Sequence, residues 1–191
     1  MNDQELVNLI RSGNKDLFSE VVLRYEPKIS RYIKKFIWDR DDLDDVIQNV
    51  FTKSYVYLNT YDDKQSFNSW LYRIAHNEAI NFLKKSKPKD ISFIDIDTFM
   101  PFLSSGDGAD DKTLIRENRE LIDKHLNSLE SKYREVIVLY FYEDLDYNEI
   151  SEILKIPKST VGVRLGRAKQ KLKTILEENK RLATDGTIGG A

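Results

Sequence analysis

The chain has 191 residues, a formal charge of −2 and no cysteine, which excludes a disulfide framework and a thiolate metal site. No apolar run reaches the roughly 18 residues of a membrane span, and the N-terminus lacks the basic start and apolar core of a signal peptide. Hydrophobic residues make up 40% of the chain and charged residues 32%, as in soluble helical proteins. We therefore expect an all-α cytoplasmic protein.

Apolar residues recur at helical spacing through most of residues 1–87, which predicts a helical N-terminal domain. The first pattern ends at the sequence SGN of residues 12–14. A longer pattern covers residues 18–36, and Pro27 inside it predicts a kink or a break. Two further helices are expected over residues 41–58 and 67–82, with the polar loop NTYDDKQS between them.

Residues 88–111 have a different composition, rich in Pro, Gly and Asp, and their short apolar pieces follow no clear period. A structureless stretch of this length is uncommon inside one compact domain, so it predicts a flexible acidic linker between two domains. The second domain is expected over residues 112–180. The Gly-rich residues 181–191 are expected to form a disordered tail.

The second domain is also predicted to be helical, with patterns over residues 113–127 and 130–142. Asp146 and Glu149 resemble a capping box at the start of the next helix. After the short connection IPK, Ser159 is expected to be the N-cap of the last helix. Two helices joined by so tight a turn form a helix-turn-helix pattern.

The last helix is strongly basic: seven cationic residues and no carboxylate lie between Lys155 and Lys173. A narrow apolar seam follows one side, formed by Val161, Leu165, Ala168 and Leu172. Such a helix suits the DNA major groove, because Lys and Arg attract phosphates while Arg, Gln and Thr also reach base edges. Candidate DNA contacts are Lys158, Ser159, Thr160, Val163, Arg164, Arg167, Lys169 and Gln170. The alternative is an ordinary basic amphipathic helix.

Two glycines interrupt this basic helix. Gly162 and Gly166 each cost about 1 kcal/mol of helix propensity, and they would let a DNA backbone approach closely. The helix over residues 67–82 has a polar face of its own, with Trp70 near its edge. Aromatic rings beside cations and amides suit a stacking platform for unpaired bases, although Trp70 could equally be a half-buried structural residue.

Three segments, in this order, resemble the characteristic regions of extracytoplasmic-function (ECF) sigma factors, the small bacterial proteins that direct RNA polymerase to promoters. They are DDVIQNVFTKSY (residues 44–55), FNSWLYRIAHNEAINFLKK (67–85) and LNSLESKYREVIVLYFYEDLDYNEISEILKIPKSTVGVRLGRAKQKL (126–172). The resemblance covers nearly all of residues 3–180, and the ordered set of motifs is far more specific than any one of them.

The resemblance implies a role for each matching position. The helix that docks on the coiled coil of the polymerase β′ clamp is matched by Asp41, Asp45, Gln48 and Asn49. The loop that captures a base flipped from the −10 element is matched by residues 61–66, including Tyr61, Lys64 and Gln65. The helix beside that element is matched by Trp70, Arg73, Asn77, Asn81 and Lys84.

The resemblance also implies partners for the linker and for the helix-turn-helix. The linker resembles the segment threaded through the polymerase, where its acidic GDGADD would mimic nucleic acid. The helix-turn-helix matches the reader of the −35 element, which also touches the β flap. The resemblance therefore implies core RNA polymerase and promoter DNA as partners, without membrane insertion, a cofactor or a small-molecule substrate. Many family members are held by an anti-sigma factor, but no pattern here identifies one.

Two other classes of function fit the sequence less well. A stand-alone helix-turn-helix regulator would be expected to carry a sensory α/β domain, whereas residues 1–87 show no alternation of strands and helices. An enzyme is disfavoured because His76 and His125 fall on separate predicted domains, with no second ligand at metal spacing, and because no phosphate-binding glycine loop occurs. Asp41 and Asp45 could bind a cation, but carboxylates at a helix start more often complement the helix dipole.

Overall fold

The computed structural model describes residues 1–86 and 119–185, and within these residues all regular structure is helical. The all-α prediction is confirmed. The helices are α1 (Asp3–Arg11), α2 (Phe18–Ile33), α3 (Arg40–Val56), α4 (Phe67–Ser86), α5 (Arg119–His125), α6 (Ser131–Ile137), α7 (Tyr147–Leu154) and α8 (Lys158–Asp185). None of these described helices combines the length and the hydropathy needed to cross a lipid bilayer.

The chain divides into two compact units, of which the first contains α1–α4 together with residues 148–156. Helix α1 begins with a capping box, in which the Asn2 side chain accepts from the Glu5 N–H and the Glu5 carboxylate accepts from the Asn2 N–H. It ends at Arg11, and Gly13 follows with a φ of 115°, a left-handed value that glycine adopts readily. The predicted break at residues 12–14 is confirmed.

Helix α2 continues through Pro27, so the break that we considered there does not occur. Proline lacks the N–H that would bond to the carbonyl of Leu23. Both residues lie on the solvent side of the helix, and the Leu23 side chain is 74% exposed, so water can bond to that carbonyl instead. The helix ends at Ile33, earlier than the pattern predicted, and Phe36 is nevertheless buried.

The core of the first unit lies where α2, α3 and α4 pack on one another. Its largest fully buried side chains include Ile29, Tyr32, Leu71 and Tyr72. The rings of Tyr32 and Tyr72 meet edge to face with centroids 5.5 Å apart, a favoured aromatic geometry. Helix α1 contacts two 3₁₀ turns, Lys15–Leu17 and Leu58–Thr60, and therefore lies beside the segment that leads into α4.

In the second unit, α5 and α6 pack on α8. The last turn of α6 widens into a π-helical segment, Val138–Tyr142, in which Val138 and Leu139 are fully buried. The Arg134 side chain donates to three carbonyls of the preceding turn, at distances of 2.9 to 3.2 Å. These bonds give the carbonyls of Asn127 and Leu129 a donor, and the Leu126 carbonyl accepts from the Leu129 N–H as well.

Two expectations about helix α8 are not met by the structure. Helix α8 begins at Lys158, and the Val161 N–H bonds to the Pro157 carbonyl, so Ser159 lies inside the first turn and is not the N-cap. Helix α8 continues to Asp185, so residues 181–185 are helical, contrary to the expected disorder. The predicted linker, residues 88–111, and the end of the tail, residues 186–191, lie outside the described residues.

The turn after α7 places a lysine in an unusual backbone conformation. Asp146 directly precedes α7, as the capping pattern predicted, and Lys155 directly follows it with a φ of 55°. Left-handed residues at this position terminate many helices, and glycine is the residue most often found there. A side chain with a Cβ adopts this conformation only at a cost of roughly 1–2 kcal/mol.

Candidate polymerase-binding and nucleic-acid-binding surfaces

Helix α3 separates apolar and polar side chains onto opposite faces. Its start is capped by Asp39, whose Oδ1 accepts from the N–H groups of Asp41 and Asp42 at 3.0 and 3.1 Å. The face that packs into the first unit contains Leu43, Val46, Ile47 and Val50, all of them buried. The sequence-predicted polymerase contacts Asp41, Asp45, Gln48 and Asn49 are all exposed on the other side. The helix therefore presents four acceptor-bearing side chains to solvent.

An open groove lies between α2 and α3 beside this polar face, and sequence reasoning did not identify it. Its apolar lining comes from Phe18, Val22, Ile47, Phe51 and Tyr55. Glu26, Asp44 and Asp45 add carboxylates, and Gln48 and Thr52 complete the wall. Two of the predicted polymerase contacts, Asp45 and Gln48, thus stand at the edge of an apolar depression. Acidic groups around an accessible apolar floor favour a partner with apolar and basic side chains.

The loop of residues 61–66 is closed on itself by hydrogen bonds. Tyr61 is only 5% exposed, and its hydroxyl donates to the Gln65 carbonyl at 2.6 Å. Lys64 is exposed, and its N–H donates to Asp62 Oδ1 at 3.0 Å. The half-buried Gln65 accepts from Arg73 Nη1 of α4 at 3.3 Å, so two predicted −10 contacts touch each other. The loop thus presents Lys64 outward on a compact base.

Trp70 lies in the core, which corrects the expectation that it borders the polar face of its helix. Its side chain is 4% exposed, and its ring centroid lies 5.5 Å from those of both Tyr61 and Phe67. Tyr61, Phe67 and Trp70 therefore pack as one aromatic cluster beneath the loop. A stacking platform needs an exposed ring face, and neither Tyr61 nor Trp70 provides one in this structure.

On the outer side of α4, the predicted −10 contacts are more accessible than Tyr61 and Trp70 are. Asn77, Asn81 and Lys84 are exposed, and Arg73 is half-buried because it is bonded to Gln65. The spacing of Asn77, Asn81 and Lys84 puts them on one side of the helix. Together with Lys64 they form a polar surface with amide and cationic donors.

Helix α8 buries the apolar seam that its sequence predicts. Val161, Leu165 and Ala168 have no exposed area, and Leu172 is 2% exposed. The seam is wider than predicted, because Thr160 and Arg164 are also buried, at 4% and 7% exposed. Residues four apart on a helix are neighbours on its surface, so Thr160 and Arg164 continue a row that ends at Ala168. Thr160 and Arg164, two of the candidate DNA contacts, therefore belong to the packed side of the helix.

The other predicted −35 contacts are more accessible. Lys158 and Gln170 are exposed, whereas Ser159, Val163, Arg167 and Lys169 are half-buried. Lys169 Nζ lies 5.8 and 5.7 Å from the ring centroids of Tyr140 and Phe141, so this ammonium group rests on aromatic rings of the π-helical segment. A Cβ at Gly162 would meet Tyr147 Cε2 at 3.5 Å. Gly162 therefore adjoins a tyrosine ring and not an open surface.

The sequence analysis also missed Arg11, at the end of α1. Its guanidinium bonds to the carbonyls of Leu58 and Tyr61 and to the carboxylate of Asp63, and thus to the segment that enters the loop. These partners are 47 or more positions away, so no local pattern could indicate them.

Within residues 1–86 and 119–185, no group of three or more His, Cys, Asp or Glu side chains is arranged to hold a metal ion.

Comparisons with known proteins cover both units. Residues 21–88 match the family model for Sigma-70 region 2, and residues 119–172 match the model for Sigma-70, region 4. The ECF RNA polymerase sigma-E factor of Escherichia coli (strain K12) is 30% identical over 176 residues, which cover 89% of this chain and 92% of the relative. The chain belongs to the ECF sigma factors. It is therefore a transcription initiation factor that directs RNA polymerase to promoters, and not an enzyme.

A second sigma factor relative and two solved structures of similar fold extend the comparison. The ECF RNA polymerase sigma factor SigW of Bacillus subtilis (strain 168) is 29% identical over 180 residues, covering 90% of this chain and 95% of SigW. The fold resembles that of CnrH, solved with the cytosolic domain of CnrY, at a TM-score of 0.68 and 24% identity, over 92% of this chain and 97% of CnrH. The sigma factor RpoE of Bartonella quintana, solved with the anti-sigma factor NepR, has a TM-score of 0.60 and 21% identity, over 84% and 96% of the two chains.

Proposed function

We propose that this ECF sigma factor binds core RNA polymerase through the polar face of α3 and the adjoining groove between α2 and α3. The observation that carries the proposal is the division of α3, which buries Leu43, Val46 and Val50 and exposes Asp45 and Gln48. Exposed carboxylates gain little within the protein itself, so a basic partner surface accounts for their clustering here. The coiled coil of the β′ clamp, which the family resemblance implies, is the partner that we assign to this face.

The −10 element is assigned to the loop of residues 61–66 and the outer side of α4. Lys64 offers a cation to the DNA backbone, and Gln65, Asn77 and Asn81 offer amides, which both donate and accept hydrogen bonds. Arg73 acts from behind the loop, because it holds Gln65. Tyr61 and Trp70, being buried, are assigned a supporting role beneath the loop and not a stacking role.

The −35 element is assigned to the N-terminal half of α8. The residues whose exposure allows a contact with DNA are Lys158, Ser159, Val163, Arg167, Lys169 and Gln170. Thr160 and Arg164 are withdrawn from this set because they are buried. The same unit is proposed to touch the β flap. We assign the activity to the cytoplasm. The path of the linker through the polymerase stays a prediction, and so does the binding of an anti-sigma factor.

The proposal is tested by run-off transcription with core RNA polymerase and a library of promoters randomised at both elements. Core polymerase with this protein should select templates that share two sequence elements at a fixed separation, and core polymerase alone should not. Transcripts without a shared element would contradict promoter recognition. A selected −35 element without a selected −10 element would contradict only the role of the loop and α4.

A further inference from the structure

Helix α1 holds the loop that we assign to the −10 element. Helix α1 itself belongs neither to the loop nor to α4, which together form that surface. Arg11 Nη2 donates to the Leu58 carbonyl at 2.8 Å and also to the Tyr61 carbonyl, and its Nε donates to the Leu58 carbonyl at 3.2 Å. Nη1 donates to Asp63 Oδ1 at 2.9 Å. One guanidinium therefore binds the 3₁₀ turn before the loop, the first residue of the loop and its third residue.

A second side chain of α1 supports the same loop. Gln4 Oε1 lies 3.3 Å from the Tyr61 hydroxyl oxygen, whose proton is donated to the Gln65 carbonyl. The hydrogen bond between Gln4 and Asp63, and then the guanidinium of Arg11, hold the pKa of the Asp63 carboxyl below its ordinary value, so this carboxylate stays ionised as a partner for both. The Arg11 guanidinium also lies 5.4 Å from the ring centroid of Tyr61. Both ends of α1 thus contact the loop.

The chemistry of arginine suits this arrangement in a way that lysine does not. The guanidinium is a rigid planar fork with five donors, so one side chain can bind two carbonyls and a carboxylate at fixed angles. A lysine ammonium could still pair with Asp63, but it could not fix Leu58 and Tyr61 at the same time. The Arg11 side chain is 21% exposed and Asp63 is 52% exposed, so water can reach the groups that a substitution frees. Loss of Arg11 should therefore loosen the loop without unfolding the unit.

We propose that Arg11 is a positioning residue for −10 recognition, which fixes the loop of residues 61–66 in the geometry that reads the flipped base. The inference rests on the proposed function of that loop. It makes α1 part of promoter specificity through the bonds of Arg11 to the loop. Loosening the loop should lower discrimination among bases, because misplaced donors bond to the correct base no better than to the others.

The test uses holoenzyme with wild-type protein, Arg11→Ala and Arg11→Lys, on the promoter that wild-type holoenzyme selects from the randomised library. Open-complex formation is measured on templates with each of the four bases at every −10 position and at every −35 position. Both variants should lower discrimination about fivefold or more at one −10 position, the loss of at least one good base contact. Discrimination at −35 and the affinity for core polymerase should stay at wild-type values.

Arg24→Ala is the matched control. Arg24, like Arg11, joins α1 to another segment through a carboxylate, here Asp3 at 2.6 Å, and is similarly exposed, but it does not touch the loop. This variant should keep wild-type discrimination at both elements. Unchanged −10 discrimination in both Arg11 variants would overturn the inference, as would full rescue by Arg11→Lys. A parallel fall at −10, at −35 and in core affinity would also overturn it, because that is the signature of a general loss of folding.

Two further variants separate this inference from the function on which it rests. Lys64→Ala and Gln65→Ala remove the polar groups of the loop itself. If they change −10 discrimination and Arg11→Ala does not, the loop reads the element and only the positioning role of Arg11 fails. If neither loop variant changes −10 discrimination, the assignment of the loop fails and the inference fails with it.

Discussion

Lys53 Nζ lies 2.6 Å from Glu78 Oε1, so an ion pair joins α3 to α4. The two helices carry the candidate polymerase surface and part of the candidate −10 surface. The Glu78 side chain is only 13% exposed, whereas that of Lys53 is 45% exposed. A carboxylate with so little access to water depends on its partner more than the lysine does.

This asymmetry predicts the outcome of a double-mutant cycle with Lys53→Met and Glu78→Gln. Lys53→Met should lower the free energy of unfolding by about 1 kcal/mol, because it leaves a mostly buried carboxylate without its cation. The coupling energy between the two sites should be about 0.2–1 kcal/mol, the range of partly exposed pairs, and should shrink with added salt. Urea unfolding measures both. Strictly additive effects would mean that the pair does not contribute to the packing of α3 on α4.

The polar face of α3 predicts a loss of polymerase binding without a loss of structure. The double variant with Asp45→Ala and Gln48→Ala should bind core RNA polymerase about tenfold more weakly. Hydrogen bonds to charged groups contribute roughly 1.5–3 kcal/mol each, and other costs of binding offset part of this contribution. Helicity by circular dichroism should be unchanged, because both side chains are exposed.

The control for this variant removes the same two chemical groups elsewhere. Asp16 and Asn8 are also exposed, one carboxylate and one amide, and neither belongs to α2 or α3. Asp16→Ala with Asn8→Ala should bind core polymerase as the wild type does. Equal affinities for the two double variants in a titration would count against the docking assignment.

Tyr25 predicts a dependence of stability on alkaline pH. Burial raises the pKa of Tyr25 well above its ordinary value of 10, and the hydrogen bond to Asp3 raises it further. The stability that Tyr25 provides is thus complete below pH 10. It falls above pH 10, by about 1.4 kcal/mol per pH unit, because the unfolded chain loses the phenolic proton first.

Tyr25→Phe should abolish this contribution. The variant should be less stable near neutral pH by about 1 kcal/mol, owing to the lost hydrogen bond, and its stability should fall less steeply above pH 10. Unfolding free energies measured from pH 8 to pH 11 would decide this. Parallel curves for wild type and variant would mean that Tyr25 ionises as easily in the folded protein as in the unfolded chain.

Local periodicity predicted the elements better than it predicted the sites. The seam of α8 and the buried face of α3 follow from spacing alone, because each depends only on the geometry of its own helix. Trp70 was misplaced because its burial is decided by Tyr61, which belongs to another segment. Arg11 was overlooked for the same reason, since its partners lie about 50 positions away.

The burial of Arg164 shows a further limit of sequence reasoning. A helical wheel gives the angle of a side chain but not the fraction of the circumference that neighbouring helices cover. Helix α8 packs against both α5 and α6, so more than its apolar seam is covered. A long cationic side chain beside the seam can bury its aliphatic stem there, which hydrophobicity alone does not predict.

Lys155 predicts a stabilising substitution. Lys155→Gly should remove the cost of the left-handed backbone at the end of α7, in part offset by the greater freedom of glycine in the unfolded chain. A net gain of about 0.5–1 kcal/mol is expected, measured by thermal or urea unfolding. As a control, Lys158→Gly lies nearby inside the first turn of α8 and should destabilise. A loss of stability in Lys155→Gly would contradict the backbone argument.

The variant Arg167→Ala tests how α8 contributes to promoter binding, and it has two distinguishable outcomes. If its guanidinium reads a base edge, Arg167→Ala should cost about 1–3 kcal/mol of binding and relax the preference at one position of the −35 element. If it contacts only a phosphate, binding should weaken equally on all promoter variants. In that case the slope of log affinity against log salt should shrink by about one unit. Wild-type and variant holoenzyme are titrated on promoter variants at several salt concentrations.

We favour the first outcome because Arg167 has Val163 and Gln170 as neighbours on the accessible side of α8, opposite the buried Leu165 and Leu172. Arg181→Ala is the matched control, since Arg181 is exposed on the same helix about 21 Å further along. Arg181→Ala should change neither the base preference at the −35 element nor the affinity for that element. If Arg167→Ala behaves like this control, α8 does not read the −35 element through this face, and its cationic residues serve a partner other than promoter DNA.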